Sequence, residues 1–123
     1  MEKSPRKILV AEDEAYNMLY IEEVLAGMDV EILCANTGKQ ALEITEKNPD
    51  IKVILMDVKM PEMDGFHAAL AIHKKFPNIP IVAQTAYALE NEIEQYESAF
   101  NEYLTKPIYK DKLRQVIKKY ITE

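Results

Sequence analysis

Short, unbroken apolar runs alternate along the chain with longer stretches in which apolar residues recur every three or four positions. The runs are Ile8 to Ala11, Ile32 to Ala35, Val53 to Met56, Ile81 to Ala83 and Tyr103 to Leu104. They are rich in Val and Ile and do not alternate with polar residues, which predicts strands covered on both faces, as in a parallel sheet. Between them, Met18, Ile21, Leu25 and Met28 mark a first helix, and Thr37-Gly38 with Ala41, Leu42 and Thr45 a second. Phe66, Ala69 or Leu70, His73 and Phe76 mark a third, Leu89, Ile93 and Phe100 a fourth, and Leu113, Val116, Ile117 and Tyr120 the last. Asn48-Pro49, Phe76-Pro77-Asn78 and Ile79-Pro80 fall between helices and the strands that follow, where proline stops a helix. Strand–helix units in this number, joined by right-handed crossovers, predict an α/β fold with an open, doubly wound, five-stranded parallel sheet. They are too few to close a barrel.

A chain of 123 residues with 48% apolar content can bury one sizeable core, which predicts a single domain over 1–123 with residues 1–6 as a flexible N-terminus. The net charge of -6, with Lys and Arg scattered along the chain, offers no basic stripe and argues against direct nucleic-acid binding. Cys34 is the one cysteine, so no internal disulfide can form, which fits a reducing cytoplasm; its place in the second apolar run predicts a core position. No segment approaches the roughly 18 consecutive apolar residues of a membrane span, so no membrane contact is expected.

In a doubly wound sheet, ligands sit outside the carboxyl ends of the strands. There the first strand ends in Glu12-Asp13, the third in Asp57, the fourth in Thr85 and the fifth in Lys106. Three carboxylates on one rim repel one another unless a cation or proton compensates. Oxygen ligands without Cys or His nearby suit magnesium, or manganese, rather than zinc. Asp13 and Asp57 are the expected direct ligands, with Glu12 reaching the ion through water. Asp57 can then act as a carboxylate nucleophile toward a phosphoryl donor, while the Thr85 hydroxyl and the Lys106 ammonium meet charge on the phosphoryl oxygens. The turn Val58-Lys59-Met60-Pro61-Glu62-Met63-Asp64-Gly65 would curl over the ion and offer the Lys59 carbonyl, with Gly65 able to take a positive φ.

The segments ILVAEDE, ILMDVKMPEMDGF, IVAQTAYA and EYLTKPI, in this order and over nearly the whole chain, resemble the signatures of response-regulator receiver domains. The resemblance implies the flavodoxin-like (βα)5 receiver fold with strand order 2-1-3-4-5. It implies magnesium at Glu12 and Asp13, phosphoacceptance at Asp57, and phosphoryl sensing by Thr85 and Lys106. It further implies a cis Lys106-Pro107 peptide and a switch in which Tyr103 turns inward and the face of the fourth helix, fifth strand and last helix changes. LMDVKMPEMDG together with Asn17 is most similar to receivers of hybrid sensor kinases. Such a domain is a signalling module that catalyses only its own phosphorylation and slow dephosphorylation. Its donor is a histidine kinase or a histidine phosphotransfer domain, its target is a downstream protein, and receivers often form homodimers through the switch face. Lys59 and Tyr87, two residues beyond Asp57 and Thr85, are bulky enough to shield an acyl phosphate from water, which predicts slow hydrolysis. Ser98-Ala99 stands where receivers commonly have a glycine.

Each signal has an ordinary reading alone. Acidic pairs favour helix N-termini, and an Asp after a strand is often a cap or turn residue. Thr85 can be an ordinary strand-end hydroxyl and Lys106 a snorkelling lysine. Their joint placement decides for chemistry. His67 and His73 lie on a helical pattern without a paired ligand and receive no role. Tyr16, Leu19 and Tyr20 form a stripe on the first helix suited either to the core or to a donor's helical bundle. An aspartyl-phosphate phosphatase would need an acid two residues after its nucleophile, where this chain has Lys59, and a cap domain. A receiver that only binds proteins would be expected to lack an acid, the phosphoacceptor or the lysine, and none is missing.

Overall fold

The computed structural model describes residues 5–58, 65–85 and 99–122. Five strands, β1 (Arg6–Ala11), β2 (Val30–Ala35), β3 (Val53–Asp57), β4 (Ile81–Thr85) and β5 (Glu102–Thr105), form one parallel sheet in the order β2-β1-β3-β4-β5. The described helices are α1 (Ala15–Leu25), α2 (Gly38–Lys47), α3 (Gly65–Lys75) and α4 (Lys110–Ile121). Leu89 and Ile93 of the additional predicted helix lie outside the described residues. Phe100, assigned to that helix by its spacing, is not helical; it is buried on the segment leading into β5.

The unbroken apolar runs have the predicted consequence. Val53 to Asp57 and Ile81 to Thr85 are buried at every residue. Alternate side chains serve two cores. Leu9, Ala11, Ile54, Met56, Ile81 and Ala83 face Ala41 of α2 and Ala68, Ala69 and Ile72 of α3. Ile8, Val10, Val53, Leu55, Val82 and Leu104 face Met18, Ile21, Val24 and Leu25 of α1 and Leu113, Val116 and Ile117 of α4. Each fully buried aliphatic side chain contributes about 1.5–3 kcal/mol relative to exposure.

Several sequence expectations are corrected. Arg6, placed in the N-terminal tail by the apolar pattern, opens β1 and pairs with Val30 of β2, because strand pairing is made by backbone bonds and does not require an apolar side chain. Helix α1 stops at Leu25; Gly27, at φ 87°, breaks it before Met28, and Val24 takes the predicted fourth core position. The buried face of α3 is Gly65, Ala68, Ala69 and Ile72, one residue back from the predicted stripe, and His73 is exposed. Small residues there let the helix lie close on the sheet, while Phe66, Leu70 and Phe76 pack at its flank. Cys34 is exposed rather than core, since β2 is an edge strand. Helix α2 starts as predicted at Thr37, whose hydroxyl accepts from the Gln40 amide at 3.0 Å.

Candidate functional site

The register carries the acids to one rim. Ala11 pairs with Met56 and Asp57 with Gln84, so Glu12, one residue past β1, stands beside Asp57 at the end of β3. Asp57 belongs to the sheet face of Val53 and Leu55, toward α1 and α4. Carboxylate oxygens of Glu12, Asp13 and Asp57 lie within 4.8 Å of one another, a set that can hold a metal ion; Glu12 and Asp57 are buried and Asp13 is exposed. Three oxygen donors of this kind fit a hard divalent cation.

Lys106 completes the cluster from beyond β5. Its Nζ donates to Asp57 Oδ2 at 3.2 Å and lies 3.6 Å from Glu12 Oε1. The Lys106–Pro107 peptide is cis. Burial opposes charge on Lys106, yet the Asp57 and Glu12 carboxylates outweigh it and hold its pKa above the ordinary lysine value. Burial likewise pushes the Glu12 carboxyl up. Hydrogen bonding with Asn17 and Asp57, the Glu14 amide and the Lys106 charge prevail, and the net direction is down. Glu12 therefore stays an anion, held on Oε1 by the Asn17 amide and on Oε2 by the Glu14 N–H at 3.2 Å.

Thr85 closes β4 at the same rim, is buried, and its carbonyl accepts from the Lys106 N–H at 2.8 Å. Tyr103 pairs with Ala83, two residues before Thr85, so Tyr103 and Thr85 share a sheet face. The Tyr103 ring is half-buried and meets Phe100 edge-on at 5.9 Å. Lys59 and Tyr87 lie outside the described residues, as does the rest of the turn to Asp64. Gly65 opens α3, and space alone explains the glycine: a Cβ there would stand 2.0 Å from the Asp57 carbonyl oxygen. No positive φ is needed to account for it. His67 and His73 are exposed on α3, away from the acids.

Two residues of the site carried no role in the sequence reading. Asn17 was noted only as a mark of the hybrid-kinase receivers, yet its Nδ2 bonds Glu12 and reaches Gln84 Oε1 at 3.4 Å. Gln84 is fully buried beside Asp57. The available signal was a glutamine inside an apolar strand, which requires a polar partner. A surface cleft of about 1080 Å³ lies at the other end of the sheet between Arg6, Gly27, Arg114 and Lys118 and contains none of these residues.

A doubly wound sheet that gathers acids, a threonine and a lysine at its carboxyl rim is the architecture of receiver proteins. The sequence profile described as response regulator receiver domain matches residues 8–118, and the chain belongs to that family. It is a receiver domain of the two-component type. It is 38% identical, over 97% of its length, to hybrid signal transduction histidine kinase I of Dictyostelium discoideum. It is 36% identical, over 96% of its length, to the sensor histidine kinase GacS of Pseudomonas protegens. The chain spans 8% and 13% of those two kinases. Among solved structures, the receiver domain of a sensor histidine kinase from Pseudomonas aeruginosa PAO1 superimposes with a TM-score of 0.87 at 30% identity, covering 97% of this chain and 99% of that one. That domain holds a magnesium ion in its active site cleft. Vibrio cholerae CheY4, at 22% identity, shares the fold with a TM-score of 0.87 over 95% of this chain and 99% of its own. No described helix is long and apolar enough to cross a membrane.

Proposed function

We propose that this receiver accepts a phosphoryl group on Asp57 from a phosphohistidine and relays the change to a protein partner. The observation that carries the reading is the cluster itself: a buried Asp57 carboxylate bonded by Lys106 at 3.2 Å, with Glu12 and Asp13 oxygens within 4.8 Å. Asp13 and Asp57 would bind Mg2+ directly, Glu12 through water, and the Lys59 carbonyl would supply a further oxygen. The magnesium in the Pseudomonas aeruginosa receiver supports that assignment. The ion would supply positive charge that offsets the carboxylates and the phosphoryl oxygens.

An Asp57 oxygen attacks phosphorus, the bond from phosphorus to the donor's imidazole nitrogen breaks, and the electron pair leaves with the imidazole. Lys106 keeps its ammonium beside Asp57 and so neutralises the anion before attack and charge on the phosphoryl oxygens after it. The Thr85 hydroxyl would donate to a phosphoryl oxygen, with Tyr103 behind it on the same face as the switch residue. Lys59 and Tyr87 would slow hydrolysis of the acyl phosphate by excluding water. The donor's helices would dock on the stripe of Tyr16, 88% exposed, Leu19, 63%, Tyr20, 38%, and neighbouring Tyr109, 73%.

The test is intact mass after incubation with acetyl phosphate, with and without Mg2+, on the wild type and Asp57→Asn. One phosphoryl adduct that requires both Mg2+ and Asp57 supports the reading. A wild type left unmodified by acetyl phosphate and unable to bind beryllofluoride overturns it.

A further inference from the structure

We propose that Gln84 is a positioning residue for the acidic site, fixing the Asn17 amide and through it the Glu12 carboxylate; this deepens the reading of the site as a Mg2+-dependent phosphoacceptor. Gln84 pairs with Asp57 on one side and Leu104 on the other, and by alternation with Val82 its side chain faces α1. It is fully buried there, in the same row as Asp57, and its β5 partner Leu104 lies two residues before Lys106.

The Asn17 amide nitrogen has two hydrogens. One goes to Glu12 Oε1 and the other points to Gln84 Oε1 at 3.4 Å. With both committed, Asn17 cannot rotate away from Glu12. The reverse orientation of the Gln84 amide would set two donors against each other, so the carbonyl must face Asn17. That choice has a consequence: Gln84 Nε2 is buried without a hydrogen-bond partner among the described residues. A strand interior lined by Val82 and Leu104 would accept an apolar side chain of the same volume without leaving such a donor. The glutamine therefore costs stability and returns a fixed acceptor at the metal-facing acids. Residues that orient metal ligands from behind typically set affinity by about 10–100-fold.

The test is a double-mutant cycle on the full chain with Gln84→Met, Asn17→Ala and the pair, reading Mg2+ affinity by titration calorimetry and the thermal midpoint in chelator. Gln84→Met should bind Mg2+ about tenfold more weakly. Its midpoint should be no lower than wild type, because an unmet buried donor is gone. The double variant should be no weaker than Asn17→Ala alone, since Gln84 acts through Asn17. Gln84→Leu repeats the measurement with a second apolar side chain. Unchanged Mg2+ affinity, losses that multiply in the double variant, or a midpoint that falls together with affinity would each overturn the proposal. A wild type that takes up no Mg2+ overturns the phosphoacceptor reading itself and the role of Gln84 with it.

Discussion

Replacing Gly65 by alanine should unseat the start of α3 from the strand that carries Asp57. A Cβ at this position would stand 2.0 Å from the Asp57 carbonyl oxygen, 2.8 Å from its carbonyl carbon and 2.8 Å from Val58 Cα. Ordinary contacts between carbons lie at about 3.5–4.0 Å, so a retreat on the order of 1 Å is required. The opposing atoms are backbone of a buried central strand, and neither side can yield by turning a side chain. The Gly65 N–H also donates to the Val58 carbonyl at 2.8 Å, a bond that the retreat would stretch. Overpacking typically costs about 1–3 kcal/mol. The strained hydrogen bond adds about 1 kcal/mol. The stiffer unfolded chain returns about 0.4–1 kcal/mol. The net is roughly 1–3.5 kcal/mol, which for a domain of this size lowers Tm by about 3–15 °C. Thermal unfolding followed by circular dichroism reads this directly. Gly27→Asn is the control, because Gly27 has nothing within 4 Å of a Cβ and only its φ of 87° to satisfy, which asparagine tolerates. Gly65→Ala melting within about 2 °C of wild type would refute the close-approach account.

Other perturbations follow from the same geometry. Lys106→Met removes the cation from between Glu12 and Asp57; with Lys106 a quarter exposed, the loss in chelator should be about 2 kcal/mol, and saturating Mg2+ should recover part of it in a melting curve. Thr37→Ala deletes the cap on α2 and should cost about 1 kcal/mol in urea unfolding, with no change in Mg2+ affinity. Away from the site, Tyr120 donates to Glu102 at 2.5 Å and Lys119 pairs with it at 2.6 Å. Burial and Glu102 raise the Tyr120 pKa, so its share of stability is whole below pH 10.0 and is lost as pH rises beyond that value. Burial opposes the Glu102 anion, but Lys119 and Tyr120 prevail and lower its pKa; its share is whole above pH 4.5 and is lost as pH falls below it. Unfolding midpoints of Tyr120→Phe against pH should show a shallower decline above pH 10.0 than wild type, and identical slopes would contradict the assignment.

The central strands were legible because burial on both faces leaves no polar side chain to interrupt them, as in Val53 to Met56. The rim was legible because Glu12, Asp57 and Thr85 each follow such a run and Lys106 comes just beyond β5. Edges were less so. The apolar spelling of β2 made Cys34 look interior, although its neighbour on one side is solvent, and burial together with Glu22 raises its thiol pKa. The face of α3 was misjudged by one residue because three of its four buried positions are glycine or alanine, which give weak hydrophobic signal beside Phe66 and Phe76. Gln84 and Asn17 were passed over because their role depends on which sheet face a side chain takes and on a contact spanning from α1 to β4, neither of which spacing along the chain specifies.

Phosphorylation at Asp57 can be read at the residue itself. Borohydride reduces an acyl phosphate to an alcohol, so the protein treated with acetyl phosphate and Mg2+, reduced and digested, can be mapped by mass spectrometry. Residue 57 should be recovered as homoserine in the wild type when Mg2+ is present and not when it is withheld. Reduction at another carboxylate, or none despite a phosphoryl adduct in the intact mass, would contradict the account.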